Sequence, residues 1–249
     1  EIRRQKDEAE QAMVHNAKAG NMNEVIRHLE ERGRIIESAD RQELQKEMAR
    51  STVDDMREGK TSMALAETRA EVHRINEIAR AEAKAAGLVT GADARFAAEA
   101  GVRQFAQGDR IIFLKNDGDL GVKNGTTGTV EAAQDGKLRV RLDDSKPDQK
   151  PVEVDQERYA KLDHGYAMTV HKSQSVTVDR AHYAPGGMSH RELAYVALSR
   201  HRETVQMHVT REQMRERTEL AQKMANSQAK GTSQDFQRVE KPTPQPVLP

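Results

Sequence analysis

The sequence predicts an α/β fold that a small β-barrel interrupts and that a disordered tail follows. Strand–turn–helix units, which build parallel sheets, occupy residues 1–100 and return after residue 160. Short strands between tight glycine turns fill residues 101–159, and few apolar residues follow residue 226. We therefore expect a host domain at 1–100 and 160–210, an insert at 101–159, a terminal helix at 211–225 and a disordered tail at 226–249.

The composition restricts the classes of site that the chain can carry. Its 40 basic and 40 acidic residues balance, so any phosphate-binding surface has to be local. The absence of Cys excludes disulfides and thiolate metal sites and fits a reducing cytoplasm. No apolar run approaches the ~20 residues of a membrane span, so we expect no membrane insertion. Because the chain begins with Glu1 and not Met, we expect a piece of a longer protein.

The first sixty residues show helical spacing with one short strand. Apolar residues three or four apart predict one helix within 6–19 and a second from Met22 to a stop at Gly33. Residues 34–37 are a strand candidate, and Asp40 with Glu43 forms a capping-box pattern for a helix that ends at Gly59.

The triplet Gly59-Lys60-Thr61 imitates a phosphate-binding loop. The full pattern G-x-x-x-x-G-K-[ST] requires glycine at position 54, which is Asp54, and a preceding strand where we expect a helix. The triplet therefore predicts a helix end followed by a strand start. That strand is residues 62–66, and a turn then leads to a helix over 70–86.

The insert is predicted from alternating strands and tight turns. Strand patterns lie at 110–114, 128–131, 137–142 and 152–154, with turns at Asn116-Asp117-Gly118, Asn124-Gly125 and Asp135-Gly136. About fifty residues suffice for an SH3-like barrel.

The stretch 164–202 carries the strongest candidate chemistry. An apolar run, 166–170, ends in the polar turn His171-Lys172-Ser173-Gln174, and a helix with a capping-box pattern at Ser189 and Glu192 ends at Ser199-Arg200. The turn could bind phosphates or be an ordinary polar turn, and Arg200 could meet a phosphoryl group or neutralise the helix end. Arg4, near the start, reads by itself as a solvated charge. A last strand at 204–209 and a charged helix at 211–224 follow, and the nine histidines show no metal-ligand pattern.

Several segments together resemble one family. GYAMTVHKSQ (165–174) and AYVALSRHR (194–202) resemble the last two motifs of superfamily 1 helicases of the RecD-like branch. LAETRAEVHRIN (65–76), GDRIIFLKND (108–117), GVKNGTTGTV (121–130) and EIRRQ (1–5) extend the resemblance to the helicase part of TraA/MobA-like and TraI-like conjugative relaxases.

The resemblance implies a second RecA-like domain with an SH3-like insert, working on single-stranded DNA in the bacterial cytoplasm. ATP and Mg²⁺ would bind only in the full-length protein. Partners would be the first RecA-like domain and the relaxase domain of the same polypeptide, and a type IV secretion coupling protein. The resemblance assigns Arg4 and Arg200 to ATP phosphates as catalytic residues. It assigns DNA contacts to Thr169, His171, Lys172, Ser173, Gln174, Asn116 and Asn124, and no residue to a metal.

Two departures from the family pattern leave an alternative open. Ser175 stands where the family usually has Gly, and a positive φ there would strain Ser by about 1 kcal/mol. The sequence also lacks a Walker A lysine and an acidic Mg²⁺ motif, so we expect no ATPase activity from this chain alone. The alternative is a non-catalytic recruitment or translocation-signal module that binds DNA or a secretion-system coupling protein.

Overall fold

The computed structural model describes residues 4–146 and 148–228. The tail expected over 226–249 lies, from residue 229 on, outside the described residues. The helices are α1 (Glu8–Ala19), α2 (Met22–Glu31), α3 (Arg41–Arg57), α4 (Arg69–Ala85), α5 (Arg191–Leu198), α6 (Arg211–Arg215), α7 (Arg217–Ala225) and a 3-10 helix, Val170–Ser175, called here the connecting helix. The strands are β1 (Ile35–Ser38), β2 (Ser62–Ala66), β3 (Thr90–Ala98), β4 (Gly101–Gln107), β5 (Arg110–Phe113), β6 (Thr127–Gln134), β7 (Lys137–Leu142), β8 (Val152–Asp155), β9 (Leu162–His164), β10 (Ala167–Thr169), β11 (Val178–Tyr183) and β12 (His201–Thr210).

A five-stranded parallel sheet forms the centre of the host domain, in the order β1-β12-β11-β2-β10. Helices α1, α2, α5 and α7 pack on one face, and α3 and α4 on the other. Every residue of β2 is buried, as expected for a parallel strand covered on both faces. The predicted α/β class is confirmed. None of the helices in the described ranges is both long and apolar enough to cross a bilayer.

Local side-chain capping accounts for the starts of α1, α3 and α4. Asp7 and Asp40 accept hydrogen bonds from first-turn amides, and Thr68 with Glu71 forms a reciprocal capping box. The capping box expected at Ser189 and Glu192 is wrong, because α5 begins after His190 without a side-chain cap. The Ser189 hydroxyl instead donates to the buried carboxylate of Glu67, which also accepts the Gly186 and Met188 amides.

The Gly59-Lys60-Thr61 triplet is a helix end followed by a strand start, as predicted. Helix α3 ends at Arg57, Gly59 takes the left-handed conformation with φ 73°, and β2 begins at Ser62. The Thr61 hydroxyl donates to Asp179 at 2.7 Å, so it links two strand ends within the fold.

Strand β3 begins at Thr90, before the boundary expected for the insert at Gly101. Strands β3 and β4 form an antiparallel hairpin, and β5 to β9 form an antiparallel sheet in the order β8-β7-β6-β5-β9. Phe96 and Phe105 of the hairpin meet edge to face, with ring centroids 6.1 Å apart, in the same core as Phe113. Small residues hide β3 in the sequence, because Ala94 and Ala98 occupy two of its three buried positions.

The C-terminal elements differ in detail from the sequence pattern. The polar turn at 171–174 lies within the connecting helix, and β12 starts at His201, directly after Arg200. The charged helix expected at 211–224 is two helices, because α6 ends before Glu216 and α7 starts after it.

Candidate nucleic-acid interface

The connecting helix joins the end of β10 to the start of β11. Its Val176 amide donates to Ser173 O at 2.9 Å, and the Ser173 hydroxyl donates to Val170 O at 2.7 Å. Ser173 is 0% exposed, so the structure does not place its predicted DNA-binding hydroxyl at the surface. The side chains of His171, Lys172 and Gln174 are exposed, and Thr169 is half-buried.

A groove of about 1360 Å³ lies beside the start of this helix. Its walls are α4 of the host domain and the β3–β4 hairpin, β5 and β9 of the insert, and Thr169 and Lys172 line its end. Four lining cations form no ion pair with any residue in the described ranges: Arg69, Arg95, Lys115 and Lys172. A groove with several unpaired cations attracts a phosphate backbone.

Ion pairs of Arg80 fix the wall where α4 meets the insert. Arg80 binds Asp109, which is 0% exposed, at 2.9 Å and Asp93 at 2.6 Å. Burial alone would lower the pKa of Arg80, but hydrogen bonds to these two carboxylates outweigh it and raise the pKa. Asp109 also accepts from the Tyr166 hydroxyl at 2.7 Å. The groove is therefore bounded by a charge network whose desolvated groups are all paired.

Arg200 is turned inward and is 5% exposed. Its guanidinium donates to Ser173 O at 3.2 Å and to Gln174 O through Nη1, to the Ser199 hydroxyl at 2.6 Å through Nη2, and to Val196 O at 2.7 Å through Nε. It has no carboxylate partner among the described residues. Burial, followed by the charge of Arg4, lowers the pKa of Arg200 to about 10, so the side chain stays charged at neutral pH.

Arg4 lies close enough to Arg200 for its positive charge to lower the pKa of Arg200. Its Nε donates to the Thr177 hydroxyl at 2.7 Å, and the neighbouring Gln5 donates to His201 O. The structure thus brings the two predicted phosphate-binding arginines to one edge of the sheet. Two like charges with no carboxylate bound to either of them among the described residues favour an anion there.

Glu10, an acidic group close to His201 at this edge, is already engaged. Glu10, on α1, lies 2.5 Å from Arg34 Nη1 and 3.2 Å from Nε2 of both His28 and His201. Its contact with His201 lacks hydrogen-bond alignment. Burial alone would raise the pKa of Glu10, but its contacts with His201, Arg34 and His28 lower it to about 2.

The two predicted DNA-binding asparagines form one loop of the insert. Asn116 accepts the Asn124 amide through Oδ1 at 2.8 Å, and neither residue lines the groove. Asn124 O accepts the Ser175 hydroxyl at 2.8 Å, so this loop contacts the end of the connecting helix. The groove residue that the loop does supply is Lys115, one position before Asn116.

Ser175 is not strained. No residue other than glycine has a positive φ in the described ranges, so the expected penalty at Ser175 does not arise. The left-handed residue at this contact is Gly125, with φ 89°, where an added Cβ would lie 2.6 Å from the Ser175 hydroxyl oxygen. Close approach of the insert to the connecting helix thus depends on that glycine.

The described residues include no cluster of His and acidic side chains that could hold a metal ion. Sequence reasoning missed Arg69, Arg95 and Lys115 as groove residues. Arg69 and Lys115 lie inside the segments LAETRAEVHRIN and GDRIIFLKND, which supplied the only signal for them.

Comparison with known proteins found relatives among conjugal transfer proteins. The chain is 35% identical over 220 residues, 88% of its length, to "Probable conjugal transfer protein TraA" of Sinorhizobium fredii. It is 38% identical over 183 residues, 74% of its length, to "Conjugal transfer protein TraA" of Rhizobium radiobacter. These matches cover 20% and 16% of the two relatives, so the chain spans at most one fifth of their length. No family model matches the chain.

Solved helicase structures share the fold. Bacteroides Pif1 bound to ssDNA superposes with a TM-score of 0.52 at 19% identity, over 83% of this chain and 50% of that one. Pif1 helicase from Candida albicans gives a TM-score of 0.51 at 18% identity, over 89% and 60%. The TraA relatives confirm the resemblance to TraA-like conjugal transfer proteins, and the solved structures show that the chain shares a helicase fold.

Proposed function

We propose that this chain, a homologue of one segment of TraA-type conjugal transfer proteins with the fold of a superfamily 1 helicase domain, is the DNA-contacting half of an ATP-driven helicase motor. One observation carries the proposal. The connecting helix has its first residues at the cationic groove and its last residues bonded to Arg200. A single short element therefore links a surface suited to a phosphate backbone with an arginine suited to a nucleotide.

The ligand of the groove is single-stranded DNA. Lys172 faces the groove from the connecting helix, Thr169 from the end of β10, and Arg69 from the first turn of α4. Cations at separate positions along an open groove recognise successive phosphates without reading bases. The chain has few aromatic residues, so backbone contacts and not base stacking dominate the binding.

Arg4 and Arg200 serve the nucleotide. ATP needs a second protein half that supplies the phosphate-binding loop and Mg²⁺ ligands, because Gly59-Lys60-Thr61 is not such a loop. Arg200 Nη1 now donates to the Ser173 and Gln174 carbonyls. A phosphate is a charged and stronger acceptor than these carbonyls, so its arrival would release the connecting helix. Nucleotide binding and the position of Lys172 are thereby coupled.

The test is a salt titration of single-strand binding by the 249-residue chain, with a labelled oligothymidylate read by fluorescence anisotropy. Lys172→Ala should weaken binding and reduce the slope of log K against log salt by about 0.7, the value for one phosphate contact. The matched control is Lys18→Ala. Lys18 is an exposed lysine on α1, which packs on the face of the sheet opposite α4, so its removal should change neither the affinity nor the salt slope. Equal behaviour of the two variants would contradict the assignment.

A further inference from the structure

We propose that Lys115, at the start of an arm of the insert formed by residues 114–126, binds a backbone phosphate in the groove that Lys172 also lines. The proposal rests on the proposed single-strand binding and adds a residue that the family resemblance does not assign. Tyr159 and Ser175 hold the two ends of the arm and act as positioning residues.

Lys115 has the exposure and the free charge that a phosphate contact needs. It is exposed, lines the groove and forms no ion pair with a described residue. Two other basic residues of the insert that line the groove are neutralised, since Arg103 binds Asp163 at 2.7 Å and Lys161 pairs with Glu99. Lys115 is therefore a cation on this wall of the groove whose charge is still available to a ligand.

The backbone of Lys115 is fixed by Tyr159. The Tyr159 hydroxyl donates to Lys115 O at 2.7 Å and accepts from Lys115 N at 3.2 Å. The ring is 5% exposed and packs against Phe113, with centroids 5.6 Å apart. One hydroxyl thus satisfies both polar groups of the residue, although the residue lies in a loop. Fixing the backbone beforehand reduces the entropy lost when the side chain binds.

The other end of the arm is fixed to the host domain. The Ser175 hydroxyl donates to Asn124 O at 2.8 Å, and Asn116 Oδ1 accepts the Asn124 amide. Ser175 ends the connecting helix, which also carries Lys172. The two lysines consequently lie on elements that are joined to each other, and they face one groove. A backbone spanning the groove would meet both without closing a flexible loop.

The same arm provides a control of matched charge. Lys123 is exposed and forms no ion pair within the described ranges, but it does not line the groove. Lys115→Ala and Lys123→Ala therefore remove the same charge from the same arm. Any general effect of net charge on DNA attraction is equal in the two variants, so a difference between them reports contact.

Single-strand affinity and its salt slope test the proposal in the full 249-residue chain, with the same labelled oligothymidylate. Lys115→Ala should weaken binding by up to about fivefold and reduce the salt slope by about 0.7. Lys123→Ala should leave the slope unchanged. Equal slopes and equal affinities for the two variants would overturn the contact.

Tyr159→Phe tests the positioning role, because it removes the hydroxyl and keeps the buried ring. It should weaken binding in the wild-type background and add no further loss to Lys115→Ala. Additive losses would overturn the positioning role, since the hydroxyl would then act independently of Lys115. If Tyr159→Phe does not fold, judged by its thermal melt, the two lysine variants alone decide the proposal.

Failure of the proposed function would give different binding results from failure of the Lys115 contact alone. If the wild-type chain shows no salt-dependent single-strand binding, the helicase assignment of the groove fails, and the arm fails with it. If the wild type binds and Lys172→Ala weakens it while Lys115→Ala matches Lys123→Ala, only the arm is refuted.

Discussion

Replacing Glu10 by Gln should destabilise the fold at neutral pH and have no effect in strong acid. Glu10 joins α1 to Arg34 and to His201, the residue after Arg200. It therefore links α1 to the part of the sheet where Arg4 and Arg200 lie. The carboxylate is 3% exposed, and a glutamine keeps its shape but not its charge. The substitution leaves Arg34 at 2.5 Å from a neutral group.

The magnitude follows from the pKa of Glu10. Its contacts lower the pKa from 4.5 to about 2 in the folded chain, which corresponds to at most about 3 kcal/mol of stability at neutral pH. The pKa is depressed in the folded state, so this stability is fully present above pH 4.5 and is lost as the pH falls towards 2. The poor alignment of the His201 contact makes the figure an upper value.

The assay is urea unfolding of the wild type and Glu10→Gln at pH 7, 5 and 3, followed by circular dichroism. The difference in the free energy of unfolding should be largest at pH 7 and should shrink towards pH 3 as Glu10 loses its charge in the unfolded state. A suitable control is Glu24→Gln, which removes an exposed helix pair and should change stability by less than about 1 kcal/mol. An equal stability of wild type and Glu10→Gln at pH 7, or a difference that is constant with pH, would refute the reasoning.

Three further results are expected. In the complete protein, Arg200→Ala should abolish ATP hydrolysis and spare single-strand binding, and unchanged turnover in a phosphate-release assay would reject the arginine role. The chain alone should show no DNA-stimulated ATP hydrolysis, and robust turnover by a pure preparation would contradict the division of the motor proposed above. Ser175→Gly should lose the hydrogen bond to Asn124 O, which lowers the free energy of unfolding by about 1 kcal/mol and speeds amide hydrogen exchange in the loop around Gly125. Unchanged exchange would show that this bond does not hold the insert to the connecting helix.

The sequence predicts strands β2 and β7 well because both carry unmixed signals. Residues 62–66 are apolar or small throughout and are buried throughout, and the stretch 137–142 alternates as its burial does. The hairpin is different. Strand β3 has one large apolar residue, Phe96, and its partner Phe105 lies on the next strand. The hairpin is therefore indicated by this aromatic pair and not by apolar alternation within β3.

The candidate site shows a second limit of sequence reasoning. A motif identifies which residues belong together, but it does not give the direction in which each side chain points. Ser173 and Lys172 are neighbours in one polar turn, yet Ser173 is buried and Lys172 faces the groove. The 3-10 geometry of the connecting helix separates them, because side chains three residues apart lie on the same side and Ser173 therefore shares the buried side with Val170. Lys115 lines the groove because the insert packs against α4, and the sequence alone does not indicate that packing.

Arg200 and Ser175 also bear on whether the chain is a motor part or a docking module. Ser175 supported the docking module through the strain of a positive φ, which the connecting helix does not have. Arg200 is a buried cation without a carboxylate, and burial lowers its pKa towards 10. A module that only docks would satisfy the Ser173 and Gln174 carbonyls equally well with a neutral donor and would avoid the desolvation of a charge. A guanidinium at this position gains its advantage when a phosphate arrives, and the motor is the function that brings one.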